Sequence, residues 1–351
     1  MRLRPTACLM AVFLAVMIGA ILWANSTRPR ILVVHSYFTD YVWTREINVG
    51  LERGMKDQSW IQLRYHYMDT KKKSDAEHLR RAGIAARKAI EDIRPDVVIA
   101  IDDYAQELAA KYFVDHPDIR IVFAGLNGGI EPYGYHKASN VTGILERKPA
   151  SAIKETIVLL SKAVGKDIER GDVVRSMLLT DTTLSAHRDG EYLEAFDWAP
   201  TRYVGTEYVR DFEDWKKRVL AIGEKTDFLL VGGYRKVKRR PDSPVKEGYV
   251  PPEELMAWTE EHSPVPVIGT NVFNTEEGAM LSVGVSPFEQ GREAARMARQ
   301  IIEKGTPPKE IPIVTSQQYV VSFRQSALDR RRMQMPRIFE AFARATDNYY
   351  Q

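Results

Sequence analysis

Cysteine is almost absent from this sequence, since Cys8 is the only one among 351 residues. The chain beyond it can form no disulfide, thiolate metal site or cysteine nucleophile. The seven histidines are scattered, and none is paired at the spacing of metal ligands. A nucleophile elbow, an HExxH zinc motif, a Walker loop and a Rossmann glycine fingerprint are also missing. We therefore expect no metal, no cofactor and no enzymatic activity, with an exported enzyme as the less favoured alternative.

Neither sign of charge dominates, because 50 Lys and Arg residues face 47 Asp and Glu residues. No helix concentrates basic residues as a phosphate-tracking surface requires, so no nucleic-acid partner is expected. Two basic runs are local. Lys71–Lys73 is interpreted as a solvated loop, and Arg235–Arg240 as an exposed loop, with an anion site or a docking surface as the alternative.

One long apolar run is present, from Cys8 to Ala24, and it follows Arg2 and Arg4. This order is typical of an export signal. The run is just short of the roughly 20 residues that span a bilayer, so an uncleaved N-terminal anchor is the alternative for residues 1–28. Cys8 lacks the lipobox that a lipoprotein cysteine needs, and we expect no lipid anchor.

The rest of the chain alternates strand and helix patterns with short connections, which predicts α/β lobes with parallel sheets covered on both faces. The predicted strands are Ile31–Val34, Ile61–Tyr67, Asp96–Ile101, Arg120–Ala124, Val141–Leu145, Arg175–Leu179, Tyr203–Val209, Asp227–Val231 and Val265–Gly269. The clearest helix begins at Pro287 behind a Ser286 cap and stops at Gly305. Asp103 and Gln106 fit a capping box for another helix.

The strand pattern restarts after Glu146, which predicts two doubly wound Rossmann-like lobes with a hinge and a cleft between them. We place the first lobe at 29–145, the second at 146–272, a crossover segment with the closing helix and strand at 273–329, and a C-terminal tail at 330–351. The lobes are expected to join near Thr142–Lys148 and to be crossed again near Val272–Val283.

Four stretches of sequence resemble a known family. These are His35-Ser36-Tyr37 with Trp43 six residues later, FAGLN at Phe123–Asn127, NVTGILE at Asn140–Glu146, and the closing run Ser286–Ile313. Together they are similar to the substrate-binding proteins of ABC transporters, uncharacterised periplasmic type, whose domain also serves as the extracytoplasmic sensor of some bacterial signalling proteins. The resemblance implies the type I periplasmic-binding fold and a small organic solute.

Ligand-binding residues are expected where strands end, because the carboxyl ends of parallel strands form the ligand side of such sheets. A ligand that closes a hinge must also contact both lobes. The candidates are His35, Ser36, Tyr37, Trp43, Asp102 and Asn127 in the first lobe and Asp181, Thr182, Tyr234 and Asn271 in the second. Their aromatic and carboxylate mixture predicts an amino-acid-like or heterocyclic solute with a nitrogen donor. Several have plainer alternatives: Trp43 as a core residue, Asp181 and Thr182 as the start of a helix, and His35 as a donor to a backbone carbonyl.

Two functions fit these expectations. The first is an extracytoplasmic protein that captures a solute and delivers it to an ABC permease. The second is a ligand-sensing module for a membrane signalling partner, with the N-terminal segment as its anchor. Sensors of this type carry an output domain after a second apolar segment, and since the sequence shows no second apolar run, transport is the preferred function.

Overall fold

The fold was obtained as a computed structural model, which describes residues 5–73, 75–242, 248–346 and 348–351. Thirteen strands lie within these residues: β1 (Arg30–His35), β2 (Gln62–Tyr67), β3 (Val97–Ile101), β4 (Arg120–Leu126), β5 (Val141–Leu145), β6 (Arg175–Thr180), β7 (Arg202–Tyr208), β8 (Phe228–Val231), β9 (Val267–Gly269), β10 (Leu281–Val285), β11 (Val314–Thr315), β12 (Tyr319–Arg324) and β13 (Tyr349–Tyr350).

The same residues contain twelve α-helices: α1 (Pro5–Ser26), α2 (Val42–Met55), α3 (Ala76–Ile93), α4 (Asp102–Leu108), α5 (Ala150–Leu160), α6 (Leu184–Ala195), α7 (Phe212–Ala221), α8 (Pro252–His262), α9 (Phe273–Glu276), α10 (Pro287–Lys304), α11 (Gln325–Arg330) and α12 (Arg337–Ala345). The Ser286 hydroxyl accepts the Glu289 N–H, and Gly305 ends α10 at a φ of 64°. The cap and the stop of this helix are therefore as predicted.

The strands form two sheets with the same internal order. The first sheet runs β11-β5-β4-β3-β1-β2, and the second runs β13-β12-β10-β9-β8-β6-β7. In both, the first strand of the lobe lies between the second and the third, which is the doubly wound order. All pairings are parallel except that of β10 with β12. The predicted fold class, two doubly wound α/β lobes, is confirmed.

Each sheet is covered on both faces, as the unbroken apolar strands require. In the first lobe, Ile31 and Val33 face α2 and α10, while Leu32 and Val34 face a second core cluster with Ala86 and other residues of α3. Two further core clusters cover the faces of the second sheet.

Helices α2 and α10 cross so closely that glycine is required at the contact. A Cβ atom at Gly50 would overlap the carbonyl oxygen of Phe288, and one at Gly291 would overlap that of Ile47. Because α10 belongs to the closing run of the chain, this contact places a late segment of sequence in the first lobe.

The chain passes between the lobes three times, at residues 146–149, at 286 and at 316–318, judged from the sheets that the flanking strands join. Hydrogen bonds tie these crossings together. The Ser286 N–H donates to the Gln318 carbonyl at 3.1 Å, and the Ser316 N–H donates to the Leu145 carbonyl at 3.0 Å. The Glu289 carboxylate accepts the Gln318 N–H at 2.8 Å.

Two placements differ from the sequence-based division. The second crossing lies after Val285 rather than within Val272–Val283, because the latter ends inside β10 of the second sheet. Residues 330–351 are not a detached tail, since β13 pairs with β12 and Ala343 of α12 lies in the second lobe's core. The short strands β11 and β13 carry too few residues for an alternating pattern to reveal them.

The N-terminal helix α1 lies outside these cores, and its apolar side chains such as Phe13 and Trp23 are exposed. Among the residues described, no helix combines the length and the hydropathy needed to cross a membrane. Residues 1–4 of the predicted export segment lie outside the described residues.

Candidate functional site

A cavity opens between the two lobes, where β1 and β3 of the first sheet and β6 and β8 of the second end. These are the positions where the strand order reverses in each lobe, and ligands of doubly wound sheets bind there. We call it the cleft cavity. It is lined by Tyr37, Tyr41, Trp43, Lys71, Asp102, Asn127, Glu146, Lys148, Asp181, Thr183, Ser185, Ala186, Asp189, Gly233, Tyr234, Arg235, Asn271 and Phe273.

The structure brings most of the predicted residues to this cavity from distant parts of the chain. Those that line it are Tyr37, Trp43, Asp102, Asn127, Asp181, Tyr234 and Asn271. Thr182 instead lines a neighbouring cavity. His35 and Ser36 line neither, although they directly precede Tyr37.

His35 points into the first lobe instead of the cleft. Its ring stacks on Tyr67 with centroids 5.2 Å apart, and its Nε2 lies 2.8 Å from the Asn48 Oδ1 of α2. Burial lowers the pKa of His35 to about 4, so the ring stays neutral. The sequence expectation of a ligand contact is not met at this position, because the last residue of β1 faces α2.

Ser36 is held by the backbone of the neighbouring elements. Its hydroxyl donates to the Ile101 carbonyl at 2.7 Å and accepts the Ala105 N–H at 2.8 Å. Ser36 thereby joins β1 to the start of α4, where Asp102 lies. Its side chain is fully used by these bonds and positions the site without lining it.

Asp102 is a buried acidic residue of the cleft cavity whose carboxylate is only partly satisfied. Its side chain is buried, with 2% of its surface exposed, and its Oδ1 accepts the Trp43 indole N–H at 2.9 Å. Its Oδ2 has no hydrogen-bond partner among the described residues. Burial raises the pKa of Asp102 well above its usual range, and the charge of Glu146 raises it further. A buried carboxylate oxygen that faces a cavity is a strong acceptor for a ligand cation.

The backbone at Asp102 is held in an unusual conformation, with a φ of 66°. Asp and Asn are among the few residues besides glycine that tolerate this region. Gly125 lies opposite, and a Cβ atom there would stand 2.9 Å from the Asp102 Oδ1. The glycine of the FAGLN stretch therefore makes room for the carboxylate.

Asp103 does not cap a helix, contrary to the predicted capping box. Its carboxylate accepts the Asn127 side-chain amide at 3.0 Å, and Gln106 bonds the Ala100 carbonyl at 2.8 Å. The helix α4 begins at Asp102 itself, two residues earlier than the capping box requires. Asn127 is thus fixed at the cavity wall by Asp103.

Buried charges connect the hinge to the second lobe. Lys148, with 3% of its side chain exposed, lies 3.3 Å from both the Glu146 and the Asp189 carboxylates, and it donates to the Asn271 Oδ1 at 2.8 Å. Burial alone would lower the pKa of Lys148, but the two carboxylates raise it above its ordinary value. Burial raises the pKa of Glu146 to about 7 and also raises that of Asp189. The hinge therefore carries a compact ionic cluster that touches both lobes.

Aromatic rings and cations face one another across the cleft. The Lys71 ammonium lies 4.3 Å from the Tyr37 ring centroid and donates to the Tyr41 hydroxyl at 3.1 Å. The Arg235 guanidinium of the second lobe lies 5.0 Å from the Tyr41 ring and 5.1 Å from that of Phe273. Cations held over aromatic faces are favourable, so the Arg235–Tyr41 contact, which joins the two lobes, stabilises this arrangement of the lobes.

The other predicted residues of the second lobe already have partners. Asp181 accepts the Thr183 N–H at 3.0 Å and the Lys236 N–H at 3.1 Å, so it shapes the loop after β6. The Tyr234 hydroxyl donates to Glu277 and accepts the Asn274 amide at 2.8 Å. These side chains form a hydrogen-bonded polar wall of the cleft cavity.

Sequence reasoning missed several residues of the cavity. Glu146 and Lys148 directly follow β5, so the strand-end rule applied to the other strands would have found them. Lys71 was interpreted as solvated and Arg235 as exposed, but both line the cavity. Asp189 lies inside α6 and leaves no signal in the sequence, because only the tertiary fold brings it to Lys148. Across the described ranges, no group of three His, Cys, Asp or Glu side chains is arranged to hold a metal ion.

Comparisons with known proteins agree with this architecture. The sequence matches the family model described as ABC transporter substrate binding protein over residues 243–344. No curated protein matches the sequence significantly. The resemblance to ABC-transporter substrate-binding proteins that was inferred from the sequence is confirmed.

Solved structures share the fold. A conserved domain protein from Vibrio cholerae O1 biovar El Tor superposes with a TM-score of 0.62 at 16% identity, covering 90% of this chain and 98% of that one. The ABC domain from Streptococcus pneumoniae, solved in complex with L-Trp, gives the same values. A leucine binding protein from Thermotoga maritima superposes with a TM-score of 0.53 at 12% identity, covering 79% of this chain and 83% of that one. At these identities the likeness is one of fold, and that fold is the type I periplasmic-binding fold.

Proposed function

We propose that this protein captures a small organic solute outside the cytoplasm and presents its closed form to an ABC permease. Residues 1–28 would direct export, and the two lobes would close on the solute in the cleft cavity. The observation that carries the proposal is the free Oδ2 of buried Asp102, which faces a cavity shared by both lobes. A solute that satisfies this oxygen while touching the second lobe makes all of its contacts only in the closed state and therefore favours closure.

The chemistry of the wall favours a solute with an amine and an apolar or aromatic portion. Asp102 supplies a buried acceptor for an ammonium, and the indole of Trp43 holds this acceptor in place. Tyr37, Tyr41 and Phe273 supply ring faces. Amino-acid-like or heterocyclic amines meet both demands, and two proteins of the same fold bind leucine and L-Trp according to their descriptions.

A ligand that binds the native state raises the unfolding midpoint, because it adds to the free energy of unfolding. The added free energy is about 2.7 kcal/mol at a ligand concentration of 100 Kd. A thermal-shift screen of the full-length chain in detergent should therefore use amino acids and heterocyclic amines, each paired with a compound that lacks the amine. We expect the amine-bearing members to raise the midpoint and their partners to fail.

The matched variants are Asp102→Asn and Asp118→Asn. Both remove one carboxylate from the first lobe, but Asp118 is exposed and precedes β4, at the edge of the sheet opposite the cleft. The amine-dependent shift should disappear in Asp102→Asn and persist in Asp118→Asn. If only phosphorylated or purely acidic compounds shift the midpoint, the role given to Asp102 is wrong.

Export can be tested separately on the protein recovered from cells. A mature N terminus near Asn25 would show that the segment is removed, whereas an intact N terminus in the membrane fraction would favour the anchored sensor over the free transport receptor.

A further inference from the structure

A second cavity adjoins the cleft cavity and shares Tyr37, Lys71, Thr183 and Ser185 with it. We call it the basic cavity. It is lined by Tyr37, Thr70, Lys71, Tyr104, Thr182, Thr183, Leu184, Ser185, Arg210, Asp211, Lys236, Lys238, Pro241 and Tyr249. The two cavities therefore lie side by side, with these four residues between them.

Four cations line the basic cavity, namely Lys71, Arg210, Lys236 and Lys238. None of them lies within ion-pair distance of a carboxylate in the part of the chain that the structure describes. The only acidic side chain of the lining, Asp211, accepts the Asp214 N–H at 3.0 Å as the cap of α7. Within the described ranges, carboxylates act on this positive charge from beyond ion-pair distance, as Asp181 and Asp69 do on Lys236.

These cations come from both lobes. Lys71 belongs to the first lobe, and Lys236 reaches across from the second lobe to donate its ammonium to the Lys71 carbonyl. Closing the cleft thus brings like charges together, which is unfavourable. Burial lowers the pKa of Lys236 to about 8, and the charge of Lys71 adds to this effect. An anion placed between Lys71 and Lys236 would attract both ammonium groups, so the repulsion between the lobes would be replaced by attraction.

Neutral donors complete the lining. The hydroxyls of Thr182 and Ser185 lie at the start of α6, a helix of 12 residues whose first turn borders the cavity. The N-terminus of a helix carries a partial positive charge and unpaired N–H groups that favour anions. Cations, hydroxyls and this helix end together form an environment suited to a carboxylate or a phosphate group.

We propose that the basic cavity binds an anionic group of the solute, a carboxylate or a phosphate ester, which bridges Lys71 of the first lobe to Lys236 and Arg210 of the second. This inference rests on the proposed solute-binding function, but not on the amine at Asp102. The anion acts as an electrostatic bridge, since it replaces repulsion between the lobes by attraction to both. Under this proposal the basic run Arg235–Arg240 contributes to an anion site, the alternative stated for it from the sequence, because Lys236 and Lys238 line the basic cavity.

The test uses inorganic phosphate and succinate as probes of the full-length chain, with binding measured by calorimetry at pH 7. The variants are Lys236→Gln and Arg210→Gln, and Lys217→Gln is the control because it removes an exposed charge of α7 outside the cavity. Losing one charge-assisted hydrogen bond should weaken anion binding about 10- to 100-fold in each cavity variant. The control should bind like the wild type.

The two probes distinguish the possible sources of the anion. Binding of phosphate alone indicates a phosphate ester, and binding of succinate alone indicates a carboxylate. Arg210 is exposed, so its substitution leaves the fold intact even if that of Lys236 does not. The proposal is overturned if neither anion binds, if both cavity variants bind normally, or if Lys217→Gln loses binding equally. If Asp102→Asn loses amine binding but binds anions as the wild type does, the loss reports on the cleft cavity and leaves the proposal for the basic cavity standing.

Discussion

The substitution Asp102→Asn should make the ligand-free protein more stable while it weakens solute binding. Asn is close in shape to Asp, keeps the hydrogen bond from the Trp43 indole, and tolerates the φ of 66° found at this position. The substitution therefore removes the buried charge and little else.

The size of the effect follows from the free Oδ2. Asn leaves an amide atom without a partner at the same place, so the gain comes from removing the charge. An unpaired buried neutral group costs about 1–3 kcal/mol and a charged one costs more, so we expect a net gain of about 1–3 kcal/mol. For a chain of this size the gain corresponds to a rise of about 1–4 °C in the unfolding midpoint. Since burial raises the pKa of Asp102 in the folded state, the folded protein binds more protons than the unfolded one between the two pKa values. The free energy of unfolding of the wild type therefore decreases as the pH rises through this window, whereas that of Asp102→Asn does not show this decrease.

The assay is urea unfolding of both proteins without solute at pH 4 and pH 8. We expect the two to differ little at pH 4, because the wild-type carboxyl is then protonated in the folded state and only about half ionised in the unfolded state. The variant should be more stable at pH 8. A variant that is less stable at both values, or that gains equally at both, would refute the view that Asp102 is kept at the expense of stability.

Three further effects can be measured. Lys148→Met leaves Glu146 and Asp189 buried without their cation. The free energy of unfolding, measured by chemical denaturation, should therefore fall by about 3–5 kcal/mol at pH 8 and by less at pH 5. A loss that does not depend on pH would contradict this. Gly291→Ala should cost at least about 1–3 kcal/mol, since the added methyl group overlaps the Ile47 carbonyl; an unchanged midpoint would disprove the close helix contact. Burial lowers the pKa of His35 to about 4. The contribution of the neutral ring to the free energy of unfolding, about 3 kcal/mol, is therefore complete above pH 6.5 and is lost as the pH falls towards 4. In urea titrations His35→Gln should lose less stability than the wild type over that range.

The sequence predicted the parts of the fold that local physics determines. Short apolar runs bounded by turn residues predicted nine strands, and capping residues predicted both ends of α10. The strand-end rule placed Tyr37, Asp102 and Tyr234 at the cleft cavity, because parallel strands carry their carboxyl ends to one edge. Their roles in binding remain predictions.

Other features depend on information that a single chain does not display locally. His35 and Tyr37 are two residues apart, yet one faces α2 and the other the cavity, because the chain leaves the regular strand geometry after His35. Lys71 and Arg235 lie in polar loops, and only the closure of two distant segments turns them towards a cavity. The placement of α10 in the first lobe depends on the glycine contact between α2 and α10, which is a property of a pair of helices.

The three passages of the chain between the lobes mean that neither lobe is a continuous piece of polypeptide. The first lobe is completed only when residues 287–315 have been synthesised, and the second only when β13 has paired. A gene fragment that ends after β5 therefore encodes a sheet without α10, with a broad apolar face left uncovered. To obtain an isolated lobe, an engineer would have to join distant segments by a new linker, since truncation at no single position releases one complete lobe by itself.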